Sequence, residues 1–205
     1  TTIHCDGYGR EQGMTDNGKR GYTGRWVYVD LTKRTVTDRH SNPDAERDFI
    51  GGRGLQAFLL AEKIARLGGP VRDPLGPDNR IVIGCSALND TRIHTAGRGS
   101  ASFFSPLTRS HNPPADDLPP VYGLVTHSSL GGSLPNKLKK AGLDQLVIDG
   151  RADVPVRIEV IDGQVRIVDA EPELFEELHG GGFPLRSRAM DAALKKLVDD
   201  KRCAS

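Results

Sequence analysis

The sequence predicts an α+β domain in which short strands, several of them paired as hairpins, pack against a few amphipathic helices. Two patterns support the hairpins: 25–31 alternates and is followed by a return strand at 35–37, and Asp162-Gly163 separates two further strand-like runs. The helices are indicated by apolar residues that recur every three to four positions in 55–67 and 187–199. With 24 glycines and 13 prolines in 205 residues, the chain is rich in turns, which fits many short strands.

The predicted domain covers 21–205. Residues 1–20 are polar and rich in glycine without periodicity, which predicts a flexible N-terminal extension. In the first strand of the domain, apolar side chains alternate between two faces, with Val27, Val29 and Leu31 on one and Trp26 and Tyr28 on the other. The run Asn42-Pro43-Asp44 after the hairpin is typical of a turn or of the start of a helix.

The clearest helix is 55–67, which is amphipathic and ends at Gly68-Gly69-Pro70. Its predicted core face consists of Ala57, Leu60, Ala61, Ile64 and Leu67. The polar side chains expected to point elsewhere are Gln56, Glu62, Lys63 and Arg66. The preceding Gly51-Gly52-Arg53-Gly54 allows two interpretations, a second anion-binding loop or a tight turn from strand to helix.

Three short apolar runs, 81–85, 101–104 and 146–148, are predicted to be strands, and the first and last are expected to be buried on both faces. Cys85 is then a small core residue and not a nucleophile. The second hairpin joins 156–161 to 164–168. The remaining predicted elements are a proline-rich loop at 111–120 and helices at 171–179 and 187–199.

Composition excludes several classes of function. The chain has 28 Lys and Arg against 27 Asp and Glu, and this net charge of +1 predicts no binding to nucleic acid or to an anionic membrane. No apolar run approaches the ~20 residues of a membrane span, and no signal sequence is visible. Because Cys5, Cys85 and Cys203 are far apart, we expect no disulfide framework, a cytoplasmic location and no four-thiolate set for an iron–sulfur cluster.

Two glycine-bearing segments are the most distinctive part of the chain. The first is Thr95-Ala96-Gly97-Arg98-Gly99-Ser100, and the second is Ser128-Ser129-Leu130-Gly131-Gly132-Ser133-Leu134-Pro135, which opens a predicted short helix over 136–141. Paired glycines before a helix let an anion approach unpaired backbone N–H groups, and Arg98 adds a planar charged donor. The segments predict an anion or cofactor cradle, although neither is a Walker loop or a GxGxxG motif. The alternative is a plain turn at the glycines with Arg98 in a surface ion pair.

Six short segments, spread along the domain in a fixed order, are also informative. They are Gly21-Tyr22-Thr23-Gly24-Arg25 with Val27-Tyr28-Val29-Asp30-Leu31-Thr32, Phe49-Ile50-Gly51-Gly52-Arg53-Gly54-Leu55, Asp73-Pro74-Leu75-Gly76-Pro77-Asp78-Asn79, Gly97-Arg98, Ser105-Pro106-Leu107-Thr108, and Leu138-Lys139-Lys140-Ala141-Gly142-Leu143-Asp144. Each is weak alone, but six in order are hard to obtain by chance. Together they resemble the N-terminal, pterin-base domain of the tungsten-containing aldehyde ferredoxin oxidoreductase family.

The resemblance implies a fold and a set of cofactors. In the family the N-terminal domain is a sandwich-like, pseudo-duplicated pair of antiparallel sheets beneath a tungstopterin, in which two pterins hold one tungsten or molybdenum. A 4Fe-4S cluster lies beside it, and the enzymes oxidise aldehydes to carboxylic acids and pass electrons to ferredoxin. Because the chain stops where a family member would begin its next strand, the resemblance implies a domain that is truncated at its C-terminal end.

The resemblance also assigns cofactor-binding residues, and no catalytic or metal-ligating ones: Gly97, Arg98, Ser129, Leu130, Gly131 and Gly132. Arg98 matches the family arginine that contacts a pterin, and Gly131 and Gly132 match the glycine pair near the pterin phosphate. Ser129 stands where the family commonly has an asparagine whose backbone carbonyl helps to hold a bridging Mg²⁺. The loop at 111–120 departs from the family because it is longer than usual.

Two hypotheses of different classes follow. In the first, the chain is the cofactor-base portion of a tungsten or molybdenum bis-pterin aldehyde oxidoreductase, whose cluster cysteines and catalytic residues lie outside this chain. Its expected partners are the rest of the polypeptide or a catalytic partner subunit, and ferredoxin; a homo-oligomer is left open. In the second, the chain is a non-catalytic cofactor-binding or assembly module that kept the fold.

Overall fold

The computed structural model describes residues 2–4, 21–107 and 124–170, which form two sheets and three helices. In chain order the elements are β1 (Thr2–His4), β2 (Arg25–Asp30), β3 (Thr35–His40), α1 (Pro43–Phe49), α2 (Gly52–Leu67), β4 (Arg80–Gly84), β5 (Gly99–Phe104), β6 (Val125–Leu130), α3 (Leu134–Lys140), β7 (Gln145–Asp149), β8 (Val156–Ile161) and β9 (Gln164–Asp169). Of the predicted features, the loop at 111–120, the helices at 171–179 and 187–199, and most of the extension 1–20 lie outside the described residues.

The main sheet has six strands in the order β3-β2-β7-β4-β5-β6, and a smaller sheet has the order β1-β8-β9. The α+β prediction is confirmed. Antiparallel pairs dominate, but β2 and β7 are parallel, as are β1 and β8. These parallel pairs join segments far apart in the chain, as parallel pairing requires, because a tight turn can only produce an antiparallel pair.

Both predicted hairpins are confirmed. Strand β2 pairs with β3 from Arg25–His40 to Asp30–Thr35, and β8 pairs with β9 across Asp162-Gly163. Both turn residues of the second hairpin have positive φ, +48° and +77°, which is the geometry that favours an Asp-Gly pair. The run at Asn42 starts a helix: its Oδ1 accepts hydrogen bonds from the N–H groups of Asp44 (3.0 Å) and Ala45 (3.2 Å).

The main sheet separates two apolar layers, and the predicted alternation in β2 decides which side chain enters each. Val27 and Val29 face the layer that contains α3 and the small sheet, where Leu138, Ile158 and Val160 are buried. On the other side, α1 and α2 cover Trp26, Val82, Phe104 and Val147. Tyr28 is packed against this second cluster. The domain is therefore built in three layers, with the main sheet in the middle.

The predicted core face of α2 is partly wrong. Leu60 is buried as predicted and Ile64 packs against the core, but Ala57, Ala61 and Leu67 are exposed. The face turned to the sheet instead contains Leu55, Gln56, Leu59 and Leu60, all 0% exposed. Gln56 enters the interior because β5 supplies polar partners: its Nε2 donates to the Ser100 carbonyl at 2.7 Å, and its Oε1 accepts from the hydroxyls of Ser100 and Ser102. A satisfied amide can be buried at little cost.

A buried arginine connects the start of β4 to the end of β7. Arg80 is 1% exposed, and its Nε and Nη2 donate to the Asp149 carboxylate at 2.9 and 2.7 Å, while Nη1 donates to the Leu59 carbonyl at 2.8 Å. Burial by itself raises the pKa of Asp149, but the hydrogen bonds and charge of Arg80, together with Lys63, hold that pKa below its usual value. The prediction that this strand is buried on both faces is wrong at Ile81, which is 40% exposed.

Asp144 joins the start of the domain to the segment between α3 and β7. Its carboxylate, 2% exposed, accepts hydrogen bonds from the N–H groups of Thr23 and Gly24 at 2.8 to 3.1 Å and from Lys139 Nζ at 2.5 Å. Two of the six sequence segments, around 21–25 and 138–144, are therefore parts of one contact.

Candidate functional site

The two glycine-bearing segments lie side by side at one end of the main sheet. Strands β5 and β6 are antiparallel neighbours, and Gly99 is opposite Leu130 in their register. Gly97-Arg98 therefore enters β5 at the same edge at which Gly131-Gly132 leaves β6. The chain brings together residues about thirty positions apart in sequence because the strand register allows no other arrangement.

The glycines of this edge fall into two groups. A Cβ on Gly99 would lie 2.6 Å from the Gly84 carbonyl oxygen and 2.9 Å from Pro135 Cγ, so this glycine lets α3 approach the sheet. In contrast, a Cβ on Gly131 would meet no described atom within 4 Å, and one on Gly97 would touch only Asn136 Nδ2 at 3.8 Å. Neither Gly97 nor Gly131 has a positive φ. The packing of the described chain therefore gives no reason for glycine at these two positions.

Gly132 differs from Gly131, because its φ of +67° is a conformation that favours glycine. It too has open space around the position of a Cβ within the described structure. The helix that follows, α3, begins at Leu134 with Pro135 in its first turn, as the sequence indicates. Gly131, Gly132 and Ser133 are exposed. Since α3 has only 7 residues, its dipole adds little, and backbone N–H groups are the donors that such a bend can offer.

Arg98 is exposed, and its guanidinium has no hydrogen bond or ion pair with any residue of the described ranges. The alternative of a surface ion pair is therefore not observed in this part of the chain. The main-chain carbonyl of Arg98 is held by Asn89, whose Nδ2 donates to it at 3.4 Å. The backbone of Arg98 is thus tied down, while its charged side chain remains available to a group from outside.

Asn89 supports the loop that carries Arg98. It is 2% exposed; its Nδ2 donates to the Ala96 carbonyl at 2.9 Å, and its Oδ1 accepts from the Ser86 N–H at 2.6 Å. Asn136 of α3 lies beside it and accepts from Asn89 Nδ2 at 3.5 Å and from the Asp90 N–H at 3.3 Å. Sequence reasoning missed both residues, and no local pattern marks them, because their partners lie up to 47 positions away.

Ser129 and Leu130 are the last residues of β6. Ser129 is exposed and opposite Ser100, while Leu130 is half-buried. Of the predicted set, the structure therefore places all six residues at one edge: Gly97 and Arg98 before β5, Ser129 and Leu130 at the end of β6, and Gly131 and Gly132 after it.

The glycines at 51–54 have a structural explanation. Gly51 has a φ of +129° and forms an isolated β-bridge with Ser86, and a Cβ on Gly54 would lie 3.0 Å from the Phe49 carbonyl oxygen. This geometry favours the tight turn into α2 over a second anion loop. The bridge also connects the start of α2 to the residue that Asn89 holds.

Cys85 is a core residue, as predicted. It is 2% exposed, and its thiol donates to the Leu143 carbonyl at 3.2 Å. Burial is the main cause that raises the pKa of this thiol to about 12, so the nucleophilic thiolate does not form at neutral pH. Over the described ranges, no group of three or more His, Cys, Asp and Glu side chains has the arrangement of a metal site. None of the helices seen is long and apolar enough to cross a membrane.

Comparison with known proteins identifies the fold and its relatives. The sequence matches the family described as aldehyde ferredoxin oxidoreductase, N-terminal domain, over residues 26–201. The chain belongs to this family. It is 31% identical over 150 residues to the tungsten-containing aldehyde ferredoxin oxidoreductases of Pyrococcus furiosus and Thermococcus kodakarensis, which covers 73% of this chain. It is also 32% identical over 149 residues to an aliphatic sulfonate oxidoreductase, WOR-like subunit, of Pyrococcus furiosus.

A solved structure supports the same assignment. The active site complex BamBC of benzoyl coenzyme A reductase, solved with 1,5-dienoyl-CoA, matches 89% of this chain with a TM-score of 0.71 and 25% identity. This chain spans 22% of the length of the first two relatives and 24% of the BamBC chain. The resemblance to the N-terminal domain of the oxidoreductase family, predicted from the six segments, is confirmed, and the relatives are oxidoreductases.

Proposed function

We propose that this chain is the cofactor-base portion of a tungsten or molybdenum bis-pterin aldehyde oxidoreductase. The observation that carries the proposal is the end of the main sheet at which β5 begins and β6 ends. It combines an arginine without a partner in the described structure with two glycines, Gly97 and Gly131, whose lack of a side chain the described packing does not require. A ligand that approaches the backbone closely would explain both features.

The residues present fit a pterin with a phosphate tail. A phosphate needs backbone N–H donors and an unobstructed approach; the bend at Gly131-Gly132 leaves the approach open and would direct its backbone N–H groups to the phosphate. Arg98 can donate two parallel hydrogen bonds to a planar polar edge or to a phosphate. The space in which a Cβ of Gly131 would lie is free of described atoms, so a ligand can occupy it.

Each residue of the set has one role in this proposal. Gly97 keeps the approach to the loop open and Arg98 binds the pterin. Gly131 and Gly132 present backbone N–H groups to the phosphate, and Leu130 fixes the bend to β5 through its pairing with Gly99. The backbone carbonyl of Ser129 would be a ligand for Mg²⁺, because hard cations prefer oxygen ligands. The 4Fe-4S cluster is held by residues outside this chain.

When bound, the cofactor would supply the two-electron chemistry by which an aldehyde and water give a carboxylic acid and two protons, with ferredoxin as the acceptor of the electrons. The residues of this chain bind and orient; we assign no proton transfer to them. The rest of the polypeptide, or a catalytic partner subunit, completes the site. The relatives support this division, since this chain spans only 22% of the tungsten enzymes, and the solved neighbour is a complex.

A second candidate is a non-catalytic cofactor-binding or assembly module. Ser129 favours it, because a serine stands where the family commonly has asparagine, and any contact that needs the amide is lost. The proline-rich run at 111–120 also favours it, since it departs from the family pattern. Such a module would hold pterin or metal without turnover of an aldehyde.

Metal and pterin analysis of the protein, purified together with the polypeptide that follows or accompanies it, tests the proposal. We expect tungsten or molybdenum in stoichiometric amount, and pterin detected by fluorescence after oxidative release. Arg98→Ala removes charge-assisted hydrogen bonds worth about 1.5–3 kcal/mol, so we expect retained pterin to fall about tenfold or more.

Arg92→Ala is the matched control for that experiment, because Arg92 is exposed in the loop between β4 and β5 that also carries Arg98. It should leave the pterin content unchanged. Purified complex without either metal would contradict the enzyme proposal, and pterin content that Arg98→Ala does not lower would remove Arg98 from the site. Metal and pterin without aldehyde oxidation would favour the second candidate.

A further inference from the structure

A network of polar side chains runs along one face of the main sheet, from α2 over β5 to β6. Ser102 Oγ, in a residue that is 0% exposed, lies 2.5 Å from Gln56 Oε1 and 2.6 Å from His127 Nδ1. Gln56 Oε1 also accepts from the Ser100 hydroxyl at 3.0 Å. His127 is exposed on β6, which is the outermost strand of the main sheet within the described structure. The network therefore runs from a fully buried amide to an exposed imidazole.

The distances fix where the hydrogen atoms lie. Gln56 Nε2 donates to the Ser100 carbonyl at 2.7 Å, so the amide is oriented with Oε1 towards the two hydroxyls. An amide oxygen carries no proton, and therefore the single proton of Ser102 must lie between Oγ and Oε1. Ser102 Oγ can then only accept from the imidazole, which requires a proton on His127 Nδ1.

The direction of this hydrogen bond rules out Ser102 as an activated nucleophile and makes His127 Nε2 a hydrogen-bond acceptor. A serine next to a histidine resembles an activated nucleophile, but here the histidine donates to the serine, and Ser102 is buried. In the neutral imidazole, a proton on Nδ1 leaves Nε2 with a free lone pair. His127 is thus a hydrogen-bond acceptor with a fixed tautomer on an exposed strand.

The acceptor lies on the same strand face as a residue of the proposed cofactor site. Side chains two apart on a strand share a face, so His127 and Ser129 point the same way and are separated by about 7 Å. It is the face on which α2 packs over β4 and β5, since their partners in the register are Ser102 and Ser100, both bonded to Gln56, whereas His127 and Ser129 themselves are exposed.

The chemistry of the site identifies which group His127 would bind. Arg98 and the backbone N–H groups at Gly131-Gly132 are all donors, which suits phosphate and carbonyl oxygens. A neutral Nε2 is an acceptor and offers nothing to a phosphate, whereas a pterin ring carries amino and ring N–H donors. We propose that His127 Nε2 accepts a hydrogen bond from an N–H donor of the pterin ring, as a further cofactor-binding residue; this rests on the proposed function.

The tautomer is tested first, in the ¹⁵N-labelled chain by long-range ¹H–¹⁵N NMR at about pH 8.5, where a free imidazole is neutral. We expect His127 with a protonated Nδ1 and an unprotonated Nε2. His40 is the internal control, because it is exposed on β3, the strand at the opposite edge of the main sheet. Ser102→Ala removes the accepting oxygen and should release His127 to a mixture of tautomers. A protonated Nε2 with a bare Nδ1 in the unaltered chain would overturn the proposal.

The contact is tested second, by the pterin content of the assembled protein. His127→Asn keeps an N–H donor for Ser102 but loses the outer acceptor, so we expect about two- to tenfold less retained pterin, the effect of one hydrogen bond. His40→Asn should have no effect. If the unaltered protein holds pterin and His127→Asn retains it as well as His40→Asn does, this inference is wrong and the proposed function stands. If the unaltered protein holds no pterin, both are wrong.

Discussion

The two ends of the main sheet each carry an arginine, and the two arginines are in opposite situations. Arg80, at the start of β4, is 1% exposed and has a bidentate carboxylate partner in Asp149 and a carbonyl partner in Leu59. Arg98, before β5 at the other end, is exposed and has no side-chain partner in the described structure. The described fold supplies every partner of the first arginine and none for the side chain of the second.

The glycines repeat this contrast within a single edge. Gly99 leaves no room for a side chain, because the Gly84 carbonyl and Pro135 occupy that space. Gly131 follows Leu130, the residue paired with Gly99, and no described atom lies within 4 Å of the position that its Cβ would take. A glycine that the fold requires and a glycine that it does not require can thus be told apart by geometry, and the second kind marks a candidate contact with a ligand.

The largest expected effect concerns the arginines. Arg80→Ala leaves Asp149 with Lys63 as its remaining cation and deprives the Leu59 carbonyl of its donor, so it should lower the free energy of unfolding by about 3 kcal/mol, the lower end of the cost of breaking a buried pair. Arg98→Ala should change it by less than about 0.5 kcal/mol. Urea denaturation followed by circular dichroism measures both. Equal destabilisation by the two variants would show that Arg98 has a structural partner.

Substitutions of the two glycines should differ in stability by a smaller amount than those of the two arginines. Gly99→Ala forces a Cβ against a backbone oxygen at 2.6 Å, and overpacking of this kind costs about 1–3 kcal/mol. Gly131→Ala should be neutral to within about 0.5 kcal/mol, because the added methyl group meets no described atom. Thermal unfolding of the two variants gives the comparison. If Gly131→Ala were as destabilising as Gly99→Ala, the open space at Gly131 would be filled by the chain itself.

The ion pair at the Arg80 end also predicts a dependence on pH. Because the pKa of Asp149 is lower in the folded chain than in the unfolded one, its ionised form stabilises the fold at neutral pH, and this contribution is lost as pH falls below about 4. Asp149→Asn should therefore be less stable at pH 7 and should lose less further stability on acidification. Free energies of unfolding between pH 7 and pH 3 test this, and parallel curves for the two proteins would contradict it.

The sequence predicted the fold class and most strands because those features are local. Alternation in β2 and the Asp-Gly turn before β9 are readable within a few residues. The face of α2 was not, because Gln56 is polar and its burial depends on two serines of β5 more than forty positions away. Periodicity places a polar residue at the surface, and only tertiary partners reverse that preference.

The candidate site divides in the same way. Arg98 and the paired glycines could be selected from residue type alone, and the sheet register then places them at one edge. Residue type does not single out Asn89, Asn136 or His127, because only their hydrogen-bond partners in the folded chain distinguish them. Supporting residues of this kind have no pattern in a single sequence, since their hydrogen bonds connect separate elements.

The smallest expected effect is on the alkylation of Cys85, which tests whether the exposed end of the sheet at Arg98 and Gly131 also exposes the strands behind it. Cys85 follows β4 directly at the Arg98 end, yet it is 2% exposed and its thiol pKa is raised to about 12. Iodoacetamide should therefore leave Cys85 unmodified at pH 8 in the folded chain, whereas unfolding in urea should make it react as a free cysteine does. Mass spectrometry of the peptide that contains Cys85 gives the extent of alkylation. Rapid alkylation of the folded chain would mean that the opening is not confined to the loop ends at Arg98 and Gly131 but reaches the sheet itself. The contrast between the two ends of the sheet would then be one of local stability and not of a ligand site.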